Sequence, residues 1–187
     1  MRDNEVLKAI RGRRSVIRFT DQSVTDDELA AILEAGRWAP SYINSQPWEF
    51  LVVRDPKTRG RLAEILRRIT VAWQGFAAAP ASIVVMADPD RDPRHLAEDG
   101  AAAAQNMCLA AHSLGLATFW AGLHAVAETR GSAESELKAA LGIPPAMRLV
   151  AVLPVGHPAY VASTSRRPLS EIVHQETYGH LMNDHGV

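Results

Sequence analysis

Two arginine-rich segments carry the side chains of this 187-residue chain that are best suited to bind an anion. Arg13, Arg14 and Ser15 form the first segment, and Arg166 and Arg167 form the second. A guanidinium group binds phosphate oxygens through two parallel hydrogen bonds, and a neighbouring hydroxyl adds a further donor. These segments therefore indicate a phosphate site, and a solvated surface is the alternative for either arginine pair taken alone.

A polar loop lies between these segments in the sequence. It covers residues 39–48 and reads Ala-Pro-Ser-Tyr-Ile-Asn-Ser-Gln-Pro-Trp. Pro40 and Pro47 prevent a preceding helix from continuing. So many hydrogen-bonding side chains in a short connection indicate a loop that is shaped around a polar, planar partner. The alternative is a capped turn in which Asn44 and Ser45 bond to their own backbone.

Common catalytic and nucleotide-binding motifs are absent from the sequence. It contains neither the glycine-rich dinucleotide fingerprint nor the P-loop, and the G-x-S-x-G element of serine hydrolases is missing as well. The seven histidines have no partners at metal-ligand spacing, so we expect no metal site. Any nucleotide must therefore be held by other means.

The composition, with 47% hydrophobic residues and a formal net charge of -1, is that of a soluble globular protein. Near-neutral charge removes the general electrostatic attraction to nucleic acid and to anionic membranes. The single cysteine, Cys108, is expected to be a buried hydrophobic residue of a helix. The cysteine count favours a reducing cytoplasm, and no signal peptide or membrane span is visible. No linker divides the chain, so residues 1–187 are expected to form one domain.

Several segments have the apolar spacing or the capping residues of helices. Asp3 is expected to cap the first helix, and Gly12 is expected to end it in a left-handed conformation. Thr25 and Glu28 form a capping box for the second helix. An alanine-rich helix near 97–114 is expected in the middle of the molecule or at a subunit interface. The remaining helices are expected at 55–69, 71–79 and 132–141.

Apolar runs that alternate with these helices predict strands. They are Phe50–Val53, Ser82–Ala87, Thr118–Gly122 and Leu149–Gly156. The first two have too few polar residues for half-exposed strands and are expected inside the sheet. The segment 88–94 is expected to be a solvated loop. The pattern predicts an α/β sandwich around one sheet, followed by a tail from Tyr160 onward that is either frayed or laid across another surface.

Short blocks spread along the chain occur together in a recognisable order. They are Arg13-Arg14-Ser15, Arg18-Phe19, Trp38-Ala39-Pro40-Ser41, Asn44-Ser45-Gln46-Pro47-Trp48, Asn106-Met107-Cys108-Leu109-Ala110, Leu114-Gly115-Leu116, Trp120-Ala121-Gly122, Pro154-Val155-Gly156 and Arg166-Arg167-Pro168-Leu169. Taken together, the chain resembles the FMN-dependent nitroreductase family. The resemblance implies an α/β (α+β) fold, a three-layer sandwich whose central, mostly antiparallel sheet is flanked by helices. It also implies a homodimer with FMN at the interface and a C-terminal tail that reaches the partner subunit.

The resemblance also implies which residues bind FMN. Its phosphate and ribityl end would be held by the first arginine segment, with Arg166 and Arg167 closing on the phosphate. Asn44 would hydrogen-bond to the flavin, and the Gly122 amide would lie near N5 and O4. Pro40, Ser41 and Tyr42 would lie against the isoalloxazine from the partner subunit. The full implied set is Arg13, Arg14, Ser15, Pro40, Ser41, Tyr42, Asn44, Gln46, Ala121, Gly122, Arg166 and Arg167.

The activity that the resemblance implies is an oxidoreductase reaction. NADH or NADPH would reduce FMN, and the electrons would pass to a nitroaromatic, quinone or similar conjugated acceptor by a ping-pong mechanism. No catalytic side chain is implied, because the chemistry takes place on the cofactor. One alternative is a specialised relative, such as a dehalogenase, enal reductase or dehydrogenase with one dedicated substrate.

A second alternative is a non-enzymatic protein that binds nucleic acid through its N-terminal basic stretch. Single-stranded nucleic acid requires stacking aromatics among the basic residues, and only Phe19 is available there.

The chain departs from the family pattern at two positions. Many relatives have a basic residue where this chain has Ile17, and a lysine often stands at the place of Thr164. At Ile17, either Arg18 takes the place of the missing cation or the phosphate has one cation fewer, and Thr164 removes a second one. Whether these departures weaken FMN binding is left open by the sequence.

Overall fold

The computed structural model of the chain describes residues 3–123 and 133–181. Its helices are α1 (Glu5–Gly12), α2 (Asp26–Arg37), α3 (Pro56–Leu66), α4 (Gln74–Ala78), α5 (Leu96–Ser113) and α6 (Ala133–Leu141). Its strands are β1 (Trp48–Val53), β2 (Ala81–Ala87), β3 (Ala117–Thr118), β4 (Ala121–Gly122) and β5 (Arg148–Gly156). Ser132, which is predicted to begin the sixth helix, lies outside the described residues.

The strands form one antiparallel sheet. The order across the sheet is β1, β2, β5 and β3, and β4 pairs with another part of β5. Strand β2 is buried along its whole length, and β5 is buried from its second residue onward. These two strands therefore form the centre of the sheet, and the predicted antiparallel sandwich is confirmed.

Helices cover both faces of the sheet, because side chains of a strand point alternately to opposite sides. Ile83 and Val85 of β2 pack in a cluster with α2 and α5. Val84 and Met86 pack in the other cluster, with α3, α4 and α6. The alanine-rich helix α5 thus lies against the centre of the sheet, as predicted for the middle of the molecule.

Local capping signals correctly predict where several helices begin. The Thr25 hydroxyl accepts a hydrogen bond from the Glu28 N–H at 3.2 Å, and the Glu28 carboxylate accepts one from the Thr25 N–H at 2.8 Å. Asp55 caps α3 by accepting from the Thr58 N–H at 2.7 Å.

Both predictions for the ends of α1 are wrong. Asn4, and not Asp3, caps the helix, because the Asn4 side chain accepts from the Leu7 N–H at 2.9 Å while Asp3 pairs with Arg11. Gly12 is the last helical residue and is not left-handed. A Cβ at Gly12 would lie 2.6 Å from Nε2 of His112, so the glycine allows α1 to approach α5 closely.

Three further predictions are wrong for reasons of tertiary structure. Strand β1 is an outer strand, and its central residues are half-buried instead of enclosed. The strand predicted for 118–122 is interrupted where Phe119 leaves the sheet to pack against Phe76, with ring centroids 4.7 Å apart. The segment 88–94 is not fully solvated, because Asp92 is only 4% exposed.

The tail after β5 is largely exposed on its own chain. Its regular structure is a 3-10 turn at Leu169–Glu171. Apolar side chains remain at the surface along it, and Tyr178 is 92% exposed. Such a tail is held in place by few interactions within its own chain.

Candidate functional site

The arginine–serine segment lies at the end of α1, where the backbone turns to run beside β3. The Arg13 N–H donates to the Ala9 carbonyl at 2.9 Å and thereby closes the helix. Ser15 then pairs with Thr118, and the Val16 N–H donates to the Thr118 carbonyl at 3.0 Å. The sheet therefore fixes the position of Ser15 relative to β3.

The two arginines of this segment differ in what their side chains contact. Arg14 donates from Nη1 to the carbonyl oxygens of Arg11 at 2.6 Å and of Arg13 at 2.8 Å. Its guanidinium thus caps the C-terminal end of α1. Arg13 is half-buried beside a cavity of about 170 Å³ that His112 also lines. Burial, followed by the positive charges of Arg13 and Arg14, lowers the pKa of His112.

The beginning of the tail lies along the same segment. The Ala159 N–H donates to the Arg18 carbonyl at 2.9 Å. Tyr160, Ala162 and residues 15–18 line a cavity of about 330 Å³. Arg166, further along, is exposed and donates from Nη1 to the Ser165 carbonyl at 2.9 Å. Within the described part of the chain, Arg166 and Arg167 form no hydrogen bond or ion pair with the arginine–serine segment.

The polar loop has an unusual backbone. Residues Tyr42–Asn44 form a 3-10 turn, and three side-chain-bearing residues have left-handed φ angles: 45° at Ile43, 60° at Asn44 and 48° at Gln46. A conformation of this kind costs on the order of 1–3 kcal/mol for a residue with a side chain, so it persists only where surrounding contacts enforce it. Such strain is concentrated at binding sites and ligand clamps.

Two side chains enforce the loop conformation. The Ser41 hydroxyl accepts from the Gln46 N–H at 2.9 Å and closes the loop on itself. Asp99, in the first turn of α5 and 5% exposed, accepts from the Tyr42 N–H at 3.1 Å and from the Ser45 hydroxyl at 3.4 Å. Asp99 was not predicted as a site residue, because nothing in the local sequence relates it to a loop more than fifty residues away.

Asn44 does not satisfy its own turn with its side chain. Its N–H donates to the Ser41 carbonyl at 3.1 Å, but its carboxamide makes no hydrogen bond to any part of the chain that the structure describes. The alternative of a turn capped by the Asn44 side chain is therefore not what the structure shows. Asparagine also tolerates φ near 60° better than most residues, which gives it a second, conformational reason to occupy this position.

Gly122 lies at the end of β4 with its amide turned away from the sheet. Along an antiparallel ladder, hydrogen-bonded residue pairs alternate with pairs that share no hydrogen bond. Leu123 and Val150 form a hydrogen-bonded pair, in which the Leu123 N–H donates to the Val150 carbonyl at 3.0 Å. The pair of Gly122 with Ala151 is therefore non-bonded, so the Gly122 N–H points away from β5. A Cβ at Gly122 would lie 3.3 Å from Nε1 of Trp120, so a larger residue there would need the Trp120 side chain to shift by a few tenths of an ångström.

A larger cavity of about 480 Å³ opens between α2 and β1. Gln46 and Trp48 line it together with Glu34 and Arg37. Glu34 accepts from Arg37 Nη2 at 2.6 Å and from Trp38 Nε1 at 2.6 Å, and these donors lower the pKa of Glu34 to about 2. The polar loop therefore borders a cavity whose rim carries an ionised carboxylate at neutral pH.

Residues 3–123 and 133–181 contain no group of three or more histidine, cysteine or acidic side chains that could hold a metal ion. None of the helices in the same ranges combines the length and apolar character that a membrane span needs.

Comparisons with known proteins agree on one family. The model of the Nitroreductase family matches residues 10–74 and 67–157. A protein of Archaeoglobus fulgidus, assigned as an NADH dehydrogenase/NAD(P)H nitroreductase, is 38% identical over 160 residues, which are 82% of this chain and 86% of the relative. Iodotyrosine deiodinase of Hydra vulgaris is 27% identical over 202 residues, and the match covers 92% of this chain and 73% of that protein.

A solved structure supports the same grouping. It is that of a protein from Desulfovibrio desulfuricans, assigned as a nitroreductase and crystallised in complex with FMN. The TM-score is 0.78 and the sequences are 37% identical, with 95% of this chain and 99% of the other chain covered.

Proposed function

Because the chain belongs to the nitroreductase family, we propose that it takes hydride from NADH or NADPH and passes the electrons to nitroaromatic, quinone or similar conjugated acceptors. The chain is an FMN-dependent oxidoreductase. The observation that carries the finer proposal is that Ser15 pairs with Thr118 of β3 and that Gly122 of β4 follows Thr118 by four residues, on a scaffold shared with an FMN-bound relative.

The donor groups of the described residues suit FMN. A phosphate requires cationic and hydroxyl donors, which Arg13 and Ser15 offer at the end of α1. A flavin edge requires amide donors at close range, which the outward N–H of Gly122 and the unpartnered carboxamide of Asn44 offer. Arg14 already donates to backbone carbonyls at the end of α1. We therefore expect Arg14 to stabilise the backbone there and not to contact the phosphate.

FMN, when bound, supplies the acceptance and release of two electrons. The chain then has to bind and orient its ligands. We propose that Arg13 and Ser15 hold the phosphate and that Gly122 donates where negative charge develops on reduction, which lowers the free energy of the reduced form. The sequence has no dinucleotide-binding motif, so we expect the nicotinamide and the acceptor to use one pocket in turn, which gives ping-pong kinetics.

We further propose that the protein is a homodimer with FMN at the interface. Helix α1 has no buried residue, and Val6 and Ile10 on it are 65% and 49% exposed. Strand β1 is an outer strand of apolar residues, and the tail carries exposed Leu169 and Tyr178. A second copy that covers these surfaces would remove apolar area from water on both subunits.

Two coarser expectations stay predictions. All described strands belong to one sheet, which supports a single domain over 1–187. A cytoplasmic location rests on the single cysteine of the sequence.

Reductive dehalogenation is a second candidate, favoured by the similarity to iodotyrosine deiodinase along most of the chain. Both candidates need the same reduced flavin and differ only in the acceptor. A panel of nitroaromatics, quinones and iodotyrosine therefore tests the choice, with kcat/KM measured for each at a fixed NADH or NADPH concentration. We expect kcat/KM for nitroaromatics or quinones to exceed that for iodotyrosine by about a hundredfold or more, since discrimination between substrates reflects differential binding of their transition states. A higher kcat/KM for iodotyrosine would replace our proposal with the second candidate.

A further inference from the structure

The ring of Tyr42 is stacked on a histidine that precedes α5. The centroids of the Tyr42 and His95 rings are 4.1 Å apart, and the ring planes are inclined by 27°. One face of Tyr42 is thus covered by its own chain, although the residue as a whole is 50% exposed. An offset stack of this kind fixes the tyrosine ring in one rotamer.

His95 is itself oriented by a buried carboxylate. Its Nδ1 lies 3.0 Å from Oδ2 of Asp92, and Asp92 Oδ1 accepts from the N–H groups of Arg94 at 2.8 Å and His95 at 3.2 Å. Burial raises the pKa of Asp92, but these hydrogen bonds outweigh burial and the net pKa is below its ordinary value. Because an ionised carboxylate only accepts, Nδ1 of His95 carries the proton, and the ring is held in one tautomer and one orientation.

These contacts reach the strained part of the polar loop. Tyr42 immediately precedes Ile43 and Asn44, which both have left-handed φ angles. Asp99 holds the Tyr42 backbone, and the stack on His95 holds its ring. The two attachments use different groups, a backbone hydrogen bond and a ring contact, but they hold the same residue, so loss of one loosens the other. Together they keep the loop in a conformation that its own sequence disfavours.

We propose that His95, oriented by Asp92, is a positioning residue that fixes Tyr42 and thereby the shape of the pocket for the electron acceptor. This inference rests on the proposed function and on the expectation, implied by the family resemblance, that Tyr42 lies against the isoalloxazine of the partner subunit. His95 acts through ring stacking and not as a proton donor. A flat, apolar ring at this position should therefore replace it.

The test compares four variants of the full chain. His95→Ala removes the stack, and His95→Phe keeps a stacking ring without the hydrogen bond to Asp92. Asp92→Ala removes the group that orients the histidine. Asp90→Ala is the matched control, because Asp90 is an exposed acidic residue of the same loop. Hydrogen exchange of the Tyr42 amide reports on the loop without flavin, and the KM for a nitroaromatic acceptor reports on the pocket.

We expect His95→Ala to speed exchange of the Tyr42 amide and to raise the acceptor KM, each by about three- to tenfold, the range of one aromatic pair. Asp92→Ala should speed exchange and raise the acceptor KM by less than His95→Ala does. His95→Phe and Asp90→Ala should leave both quantities within about twofold of the wild type. The Kd for FMN should not change in His95→Ala.

Three results would overturn the inference. Exchange that is unchanged in His95→Ala would mean that the stack does not hold the loop. Faster exchange with an unchanged acceptor KM would mean that the stack matters only for stability. Equal defects in His95→Phe and His95→Ala would assign the effect to the imidazole and not to stacking. A wild-type protein that binds no FMN would instead contradict the proposed function, and the exchange measurement would still decide whether His95 holds the loop.

Discussion

The backbone N–H of Val16 donates to the carbonyl oxygen of Thr118 at 3.0 Å. This bond joins the arginine–serine segment to β3. Strand β4 begins three residues after Thr118 and ends at Gly122. The two ends of the proposed flavin site are thus attached to the same stretch of backbone. Their separation is set by the sheet, and not by loops that could move independently.

Replacement of Arg13 by alanine should weaken FMN binding without unfolding the protein. A hydrogen bond to a charged group contributes about 1.5–3 kcal/mol, so we expect the Kd for FMN to rise by roughly ten- to a hundredfold. Flavin fluorescence titration measures the change. Arg11→Ala is the matched control two residues before Arg13, and it should bind FMN like the wild type. Overlapping titration curves for Arg13→Ala and wild type would remove Arg13 from the site.

Two substitutions of Asn44 separate its cofactor role from its backbone role. Glycine adopts φ near 60° without strain, so Asn44→Gly removes the carboxamide and keeps the loop. Asn44→Ala removes the carboxamide and also disfavours the conformation. If the carboxamide bonds to FMN, both variants should shift the flavin midpoint potential and lose about 1–3 kcal/mol of FMN binding.

The same pair of variants shows what would contradict a cofactor role for Asn44. The Tm of the flavin-free protein should fall in Asn44→Ala and stay near the wild-type value in Asn44→Gly. A midpoint potential that is unmoved in Asn44→Gly, together with a lower Tm in Asn44→Ala, would leave Asn44 with the backbone role alone.

The sequence predicted those elements whose causes are local. Thr25 with Glu28 and Asp55 with Thr58 mark helix starts because each pair closes a hydrogen-bonded ring within four residues. The position of β1 could not be predicted in this way, since an apolar strand indicates burial but does not identify the neighbour that provides it. The contacts of Asp99 with the polar loop are equally invisible in the sequence, because they join residues more than fifty positions apart.

The site residues illustrate the same limit. Arg13, Arg14 and Ser15 were predicted together from their types, but only the structure shows that the Arg14 guanidinium donates to Arg11 and Arg13 carbonyls. The family resemblance implies Asn44 and Gln46 as flavin-site residues, whereas their left-handed backbone depends on contacts of the loop with α5 and with Ser41. The sequence therefore identifies candidate FMN-binding residues, and tertiary contacts determine which of their donors remain available to a ligand.

Charges placed on the exposed apolar face of α1 should dissociate the proposed dimer. In the Val6→Asp/Ile10→Asp double variant, two carboxylates would have to be buried at the interface, which costs several kcal/mol per ion. Sedimentation velocity at micromolar protein should show a dimer for the wild type and a monomer with reduced FMN content for the variant. Val71→Asp is the matched control, because Val71 is 100% exposed and lies outside α1 and the tail. A flavin-loaded wild-type monomer at that concentration would contradict the dimer.

The thiol of Cys108 should be inert in the folded protein. Cys108 is 4% exposed, and burial raises the pKa of its thiol, so little thiolate is present at neutral or mildly alkaline pH. We expect alkylation by iodoacetamide at pH 8 to be roughly a hundredfold slower than in urea-unfolded protein, because reaction requires local opening. Mass spectrometry of timed samples measures both rates. Rapid modification in the native state would show that the cavity beside Arg13 and His112, which Cys108 also lines, opens to solvent.

The most direct test of the account is anaerobic titration of the purified protein after incubation with FMN. We predict that about one FMN per chain stays bound, that NADH or NADPH bleaches its visible absorbance, and that a nitroaromatic or quinone restores it. A protein that retains no FMN, or one whose bound FMN is reduced by neither NADH nor NADPH, would contradict the central claim that this chain is a flavin-dependent NAD(P)H oxidoreductase.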